Sequence, residues 1–281
     1  MHSAIHAIVN DFQRAMDTDE AALAEPALAI ARIEYDDLDV APYVASIDAL
    51  AGTIADRLKP HATTEERVAM LNQHLYIEKQ FLGNETSYYD PRNSCLNAVL
   101  DRKLGIPITL SLLYIEIGRR LGLDIAGVSF PGHFLVRVGC GEGLIVVDPF
   151  NGGATLTMAD LHEQVIRVHG PVAAQQMDVA DMLAPATRCD IMTRILRNLK
   201  KIYMESGEID KAIGVISLLL VVDATSASEW RDRGLLYREI EAYRAALTDL
   251  SRYVDLMPDT ADVTAIRHMV VELRAINARF N

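Results

Sequence analysis

Residues 105–150 hold the side chains most capable of covalent chemistry. His133 opens a segment in which Phe134, Val136 and Val138 alternate with Leu135 and Arg137, as a two-faced strand would. Asp148 closes the following apolar segment, Leu144 to Val147, immediately before Pro149. Ahead of both runs a helical pattern from Thr109, with Leu110, Leu113, Tyr114, Ile117 and Leu121 on one face. A helix start, a His and an Asp are parts that nucleophilic acyl transfer uses when the fold brings them together. A Cys at the helix start is acidified by the free backbone NH groups, the imidazole takes its proton, and the carboxylate holds the imidazole in the right tautomer. Here the helix start reads Pro107-Ile108-Thr109-Leu110-Ser111, which offers hydroxyls and no sulfur. Thr109 and Ser111 are the hydroxyl candidates, and a hydroxyl needs stronger base activation than a thiol. The nearest thiol, Cys95, stands at the start of the preceding helical segment.

Each of these residues has a plainer explanation. His133 beside Phe134 fits a packed core histidine, although its place after Pro131-Gly132 at an element edge favours a site. Asp148 before Pro149 fits a turn-former, and Cys140 between two glycines is incidental. The loop Gly83 to Asn93 gathers Tyr88, Tyr89, Asp90, Arg92 and Asn93; Tyr89, Asp90, Arg92 and Asn93 either line a pocket or, for Asp90 and Asn93, cap the next helix. His133, Asp148 and the loop acids lack the spacing of a metal site, so no metal and no cofactor is expected.

These residues are set among elements with clear punctuation. A helical lead-in runs from Ala21 to about Leu58, broken by the acidic turn Asp36 to Asp39. Thr63 and Glu66 have the spacing of a capping box, and the helix they start carries Val68, Leu71 and Leu75. Leu96 to Leu104 reads as a short helix ended by Gly105 and Pro107. The helix from Thr109 is apolar on most sides, hence buried on most sides, and Glu116 with Arg119 or Arg120 reads as an ion pair. Strand patterns follow at Ile125 to Phe130, Phe134 to Val138 and Leu144 to Val147, then a turn at Asn151-Gly152-Gly153 and a helix from Leu161 to Val168.

After Asp190 the pattern is wholly helical and acquires a period. Tyr203 aligns with Tyr237 and Ala212 with Ala246 at a spacing of 34 residues, and the second unit adds Trp230, Gly234, Leu250, Tyr253 and Pro258. This resembles the tetratricopeptide pattern, with Leu199-Lys200 in place of the usual Leu-Gly and Val263 to Ala278 as a capping helix.

At 281 residues, half of them apolar, the chain has enough material for a sizeable core. A formal charge of -12 disfavours nucleic acid and acidic membranes as partners. No basic segment followed by an apolar stretch is visible in Met1 to Asp11, and the apolar run Ala212 to Val222 is too short to span a bilayer, so the expected location is cytoplasmic. Three cysteines at irregular spacing suit reduced thiols.

The stretches YYDPRNSCLNAVLDRKLGIPITLSLLYIEIGRRLGL, FPGHFLVRV and VDPFNGG resemble the SirB-type branch of the transglutaminase-like superfamily, whose members often carry C-terminal tetratricopeptide repeats. The resemblance implies an α+β core related to transglutaminases and cysteine proteases, with helical lead-in, over residues 1–185, and an all-α repeat domain over 186–281. It maps the superfamily His and Asp onto His133 and Asp148, and leaves the Cys position unfilled. Two functions follow. The missing thiol and the repeats favour a degenerate, non-catalytic scaffold that binds a protein or peptide; the alternative is an acyl-transfer or amide-hydrolysing enzyme using Cys95 or a helix-start hydroxyl.

Overall fold

A computed structural model describes residues 2–18 and 22–278; Ala21, the expected start of the lead-in, lies outside them. The helices and strands run in the order α1 (His2–Met16), α2 (Ala24–Ala31), α3 (Ala41–Ala55), α4 (Thr64–Asn72), β1 (Leu82–Gly83), α5 (Leu96–Arg102), β2 (Leu104–Gly105), α6 (Pro107–Arg120), β3 (Ile125–Val128), β4 (Leu135–Cys140), β5 (Gly143–Asp148), β6 (Ala154–Leu156), α7 (Met158–His169), α8 (Pro171–Ala174), α9 (Arg188–Ser206), α10 (Ile209–Val222), α11 (Ala227–Glu239), α12 (Tyr243–Leu256) and α13 (Val263–Asn277). The chain divides into two compact units, Arg14–Ile195 and Met1–Gln13 with Leu196–Asn281. No helix among the described residues is long and apolar enough to cross a membrane.

In the α+β unit, α6 is the centre. Every residue from Pro107 to Gly118 is buried, and the helix packs against α2, α3, α4, α5, β3, β4 and the turn after β5. Its sequence permits this because the few polar side chains find partners. Glu116 accepts a hydrogen bond from the Leu23 backbone NH (2.8 Å) and pairs with Arg120 (2.6 Å). Ser111 donates to the Phe134 carbonyl of the segment leading into β4 (3.2 Å). The helix begins two residues earlier than the apolar pattern suggests, since Pro at the first helical position gives up no backbone bond.

Antiparallel strands in the order β3-β4-β5-β6 form the sheet, and β1 and β2 make a short parallel pair. The β4–β5 register pairs Val136 with Val147, and so brings His133 and Asp148 to the same end of that hairpin. The pattern foretells none of β1, β2 and β6, each too short to show alternation, and Leu104, expected in the helix from Leu96, belongs to β2. The capping box at α4 forms as its spacing predicts, with Glu66 N to Thr63 Oγ1 at 3.3 Å and Thr63 N to Glu66 Oε2 at 2.9 Å. Beyond Asn72 the helix widens into a π-turn, Gln73–Glu78, that buries His74, Leu75 and Tyr76.

The repeat unit is all helical. At equivalent places one repeat apart, α11 carries Gly234 and α9 carries Lys200. A Cβ on Gly234 would lie 2.8 Å from Leu250, so α11 and α12 touch there because no side chain intervenes. Lys200 instead runs to α11, where its Nζ meets Glu229 (2.6 Å) and Asp232 (2.7 Å).

The centrality of α6 is testable. Leu113, 1% exposed, replaced by Ala should cost about 2–5 kcal/mol in denaturant unfolding, the range for deleting a well-packed core Leu. A loss under about 1 kcal/mol would remove α6 from the core.

Candidate functional site

Asp148 ends β5 and is 3% exposed. Its carboxylate accepts four hydrogen bonds: from Phe150 N (3.0 Å), Asn151 N (3.3 Å), Asn151 Nδ2 (2.6 Å) and His133 Nε2 (2.8 Å). Burial works against its charge, but the hydrogen bond and charge of His133, followed by the Asn151 donors, hold the carboxyl below its ordinary range. An ionised carboxylate only accepts, so Nε2 of His133 carries the proton, and in the neutral ring Nδ1 is the acceptor. Nδ1 makes no hydrogen bond to the described residues, and the side chain is 12% exposed. His133 sits in the turn two residues before β4, its NH bonded to the Phe130 carbonyl (3.0 Å).

The pair opens on a groove of about 560 Å³. One wall carries Tyr88, Phe150 and Pro107; the other is α7, whose Asp160, Glu163, Gln164, Arg167 and Val168 share one helical face. Phe150 is edge-on to both neighbouring rings, Tyr88 at 6.5 Å and His133 at 5.8 Å between centroids. The α6 residue that lines the groove is Pro107, with neither a nucleophilic side chain nor a backbone NH.

The remaining sequence-derived candidates lie elsewhere. Thr109 is 1% exposed and donates to the Asn93 carbonyl (2.7 Å); Ser111 is fully buried and serves Phe134. Neither lines the groove. Cys95, fully buried, is the N-cap of α5. Burial, and after it the charge of Cys95, push the Tyr35 phenol up, and Cys95 is not among the residues that line the groove. In the 83–93 loop Asp90 caps the short 3-10 turn Pro91–Asn93 through Arg92 N (3.0 Å) and holds the Arg92 guanidinium by Nε (3.0 Å) and Nη2 (2.7 Å). Asn93 is buried and binds the carbonyls of Ser87 (2.7 Å) and Tyr88 (3.2 Å). Tyr89 is 59% exposed and touches Tyr88 edge-on. Asp90, Asn93 and Arg92 therefore shape the loop, and it is Tyr88 that the loop delivers to the groove. Phe150, Asn151 and the α7 face went unread in the sequence; the polar 160, 163, 164, 167 spacing was the available signal for the latter. Among the described residues no group of three or more His, Cys, Asp or Glu is placed to hold a metal.

Comparison with known proteins settles the family. A profile described as Transglutaminase-like superfamily matches residues 41–197, and one described as Tetratricopeptide repeat matches 199–271. A UPF0162 protein of Xylella fastidiosa is 38% identical over 258 residues, 92% of each chain. The chain belongs to the UPF0162 family of transglutaminase-like proteins. Another UPF0162 protein, from Pseudomonas aeruginosa, is 30% identical over 92% of this chain and 93% of its own. Protein SirB1 of Salmonella typhimurium is 27% identical over 80% of this chain and 82% of SirB1. No solved structure matches. The matched residues hold both the His133–Asp148 pair and Pro107, so the groove lies inside the transglutaminase-like region.

Asp148→Asn should cost about 1–3 kcal/mol, because the buried donors around the carboxylate lose their charged acceptor. The depressed folded-state value means that Asp148's contribution is present above the ordinary carboxylate range and lost as pH falls through that depressed value. The stability gap between wild type and variant, followed by thermal unfolding, should narrow below about pH 4; a gap that widens there would contradict the assignment.

Proposed function

We propose that this protein is a non-catalytic binding scaffold, in which the His133 groove holds a peptide segment and the C-terminal repeats dock a partner protein. The observation that carries the reading is the side chain at the start of α6: Pro107 lines the groove where an acyl-transfer site needs a nucleophile. The two hydroxyls that follow are buried and engaged with carbonyls, and Cys95 is fully buried and does not line the groove. Tetratricopeptide repeats generally mediate protein–protein interaction, which supports a protein partner for the second unit. Buried Cys95, half-buried Cys140 and exposed Cys189 are all thiols, which suits the cytoplasm.

The alternative is acyl transfer or amide hydrolysis through Cys95 or a helix-start hydroxyl, and the paired His133 and Asp148 are what favour it. A thiol-directed acyl probe separates the two. In the scaffold, Cys95 reacts no faster near neutral pH than an ordinary buried thiol, and His133→Ala leaves its rate unchanged, because no imidazole and helix start act on it together. Rapid modification of Cys95 that disappears in His133→Ala would make the protein an acyl-transfer enzyme.

A further inference from the structure

We propose that the groove takes an arginine side chain of the bound peptide, an inference that rests on reading the groove as a peptide site. Three features converge on a guanidinium. The first is aromatic surface. Phe150 stands at 71° to Tyr88 and 87° to His133, so ring faces and edges meet along one wall, and Tyr88 is 39% exposed. The second is charge. Asp148, Asp160 and Glu163 line the groove against a single cation, Arg167. Glu163 holds Arg167 loosely, at 3.6 Å with both side chains 73% exposed, and an ion pair so exposed is readily exchanged. The third is His133, which lines the groove with Nε2 committed to Asp148 and leaves Nδ1, the acceptor of the neutral ring, without a hydrogen bond to the described residues.

A guanidinium satisfies all three at once. It is planar and weakly hydrated, stacks on rings, and carries five N–H donors that serve a carboxylate and an imidazole together. An ammonium is a compact, strongly hydrated charge with no plane to stack. The repeat unit already uses the same combination. Arg233 lies 5.0 Å from the ring centroid of Trp230 and 5.8 Å from that of Tyr237, while Nε and Nη2 bond to Asp249 at 2.7 and 3.0 Å. The groove presents the rings and the carboxylate of that arrangement without a buried arginine of its own.

The test uses the full chain labelled with ¹⁵N and four blocked tripeptides: acetyl-Gly-Arg-Gly-amide, its citrulline and lysine counterparts, and acetyl-triglycine-amide. Affinities come from calorimetry, and the His133 ring-nitrogen resonances report whether binding is at the groove. The arginine peptide should bind at least about ten-fold more tightly than the citrulline or lysine peptide. Glu163→Gln should abolish that preference, and Arg167→Ala, which frees Glu163, should strengthen binding. Both positions are exposed, so both variants fold. If peptides move the His133 resonances but citrulline or lysine binds as tightly as arginine, the arginine proposal falls while the peptide groove stands. If no peptide moves them, both fall.

Discussion

A helix buried on all sides over its first twelve residues, with polar side chains among them, imposes a strict condition, because each of those groups must find a partner inside the protein. In α6 the partners come from all around it. Glu116 takes the backbone NH of Leu23 ahead of α2, Thr109 takes the carbonyl of Asn93, Ser111 takes that of Phe134, and Tyr114 donates to Asn72 (2.9 Å). Asn72 in turn donates to the Gly153 carbonyl (2.8 Å) beyond β5. Meeting this condition ties the lead-in helices, the 83–93 loop, the sheet and the turn after Asp148 to one rod.

That condition also bears on the proposed chemistry. Thr109 and Ser111 each secure a buried carbonyl, and neither hydroxyl lines the groove beside His133. Gly153 shows how tight the tie is. It sits at φ +75°, and a Cβ there would collide with Asn72 and lie 2.6 Å from Tyr76, so only glycine lets the turn rest on α4 and the π-turn. The phenol oxygen of Tyr76, buried and without a hydrogen-bond partner among the described residues, lies close enough to Asp148 for the carboxylate's charge to raise its pKa further, after burial and Tyr114.

What was legible in the sequence follows from range. His133 and Asp148 were readable because each sits at the boundary of a strand pattern, and the hairpin between them is local. The capping box at Thr63 and the repeat period were readable for the same reason. Cys95, Thr109 and Ser111 could be named as candidates but not placed, because where a helix end points depends on contacts far along the chain. Asp90 and Asn93 were open between capping and binding, and only the hydrogen bonds to Arg92, Ser87 and Tyr88 decide it. The α7 wall escaped because an exposed polar helix face looks alike whether or not a groove lies in front of it. Lys200 was visible as a departure from the repeat pattern, yet its reason, the acids of α11, lies a full repeat away.

The His133–Asp148 pair has structural work to do that needs no turnover. Three of the four hydrogen bonds to Asp148 come from Phe150 and Asn151, so the carboxylate shapes the turn that aims Phe150 into the groove. His133 supplies the fourth through its Nε2, and a buried carboxylate depends on donors of this kind. Removing the imidazole would leave that charge less well compensated, and removing the carboxylate would release the turn. The pair is thus held in place by its structural work, and the groove it maintains keeps its aromatic wall and its oriented imidazole.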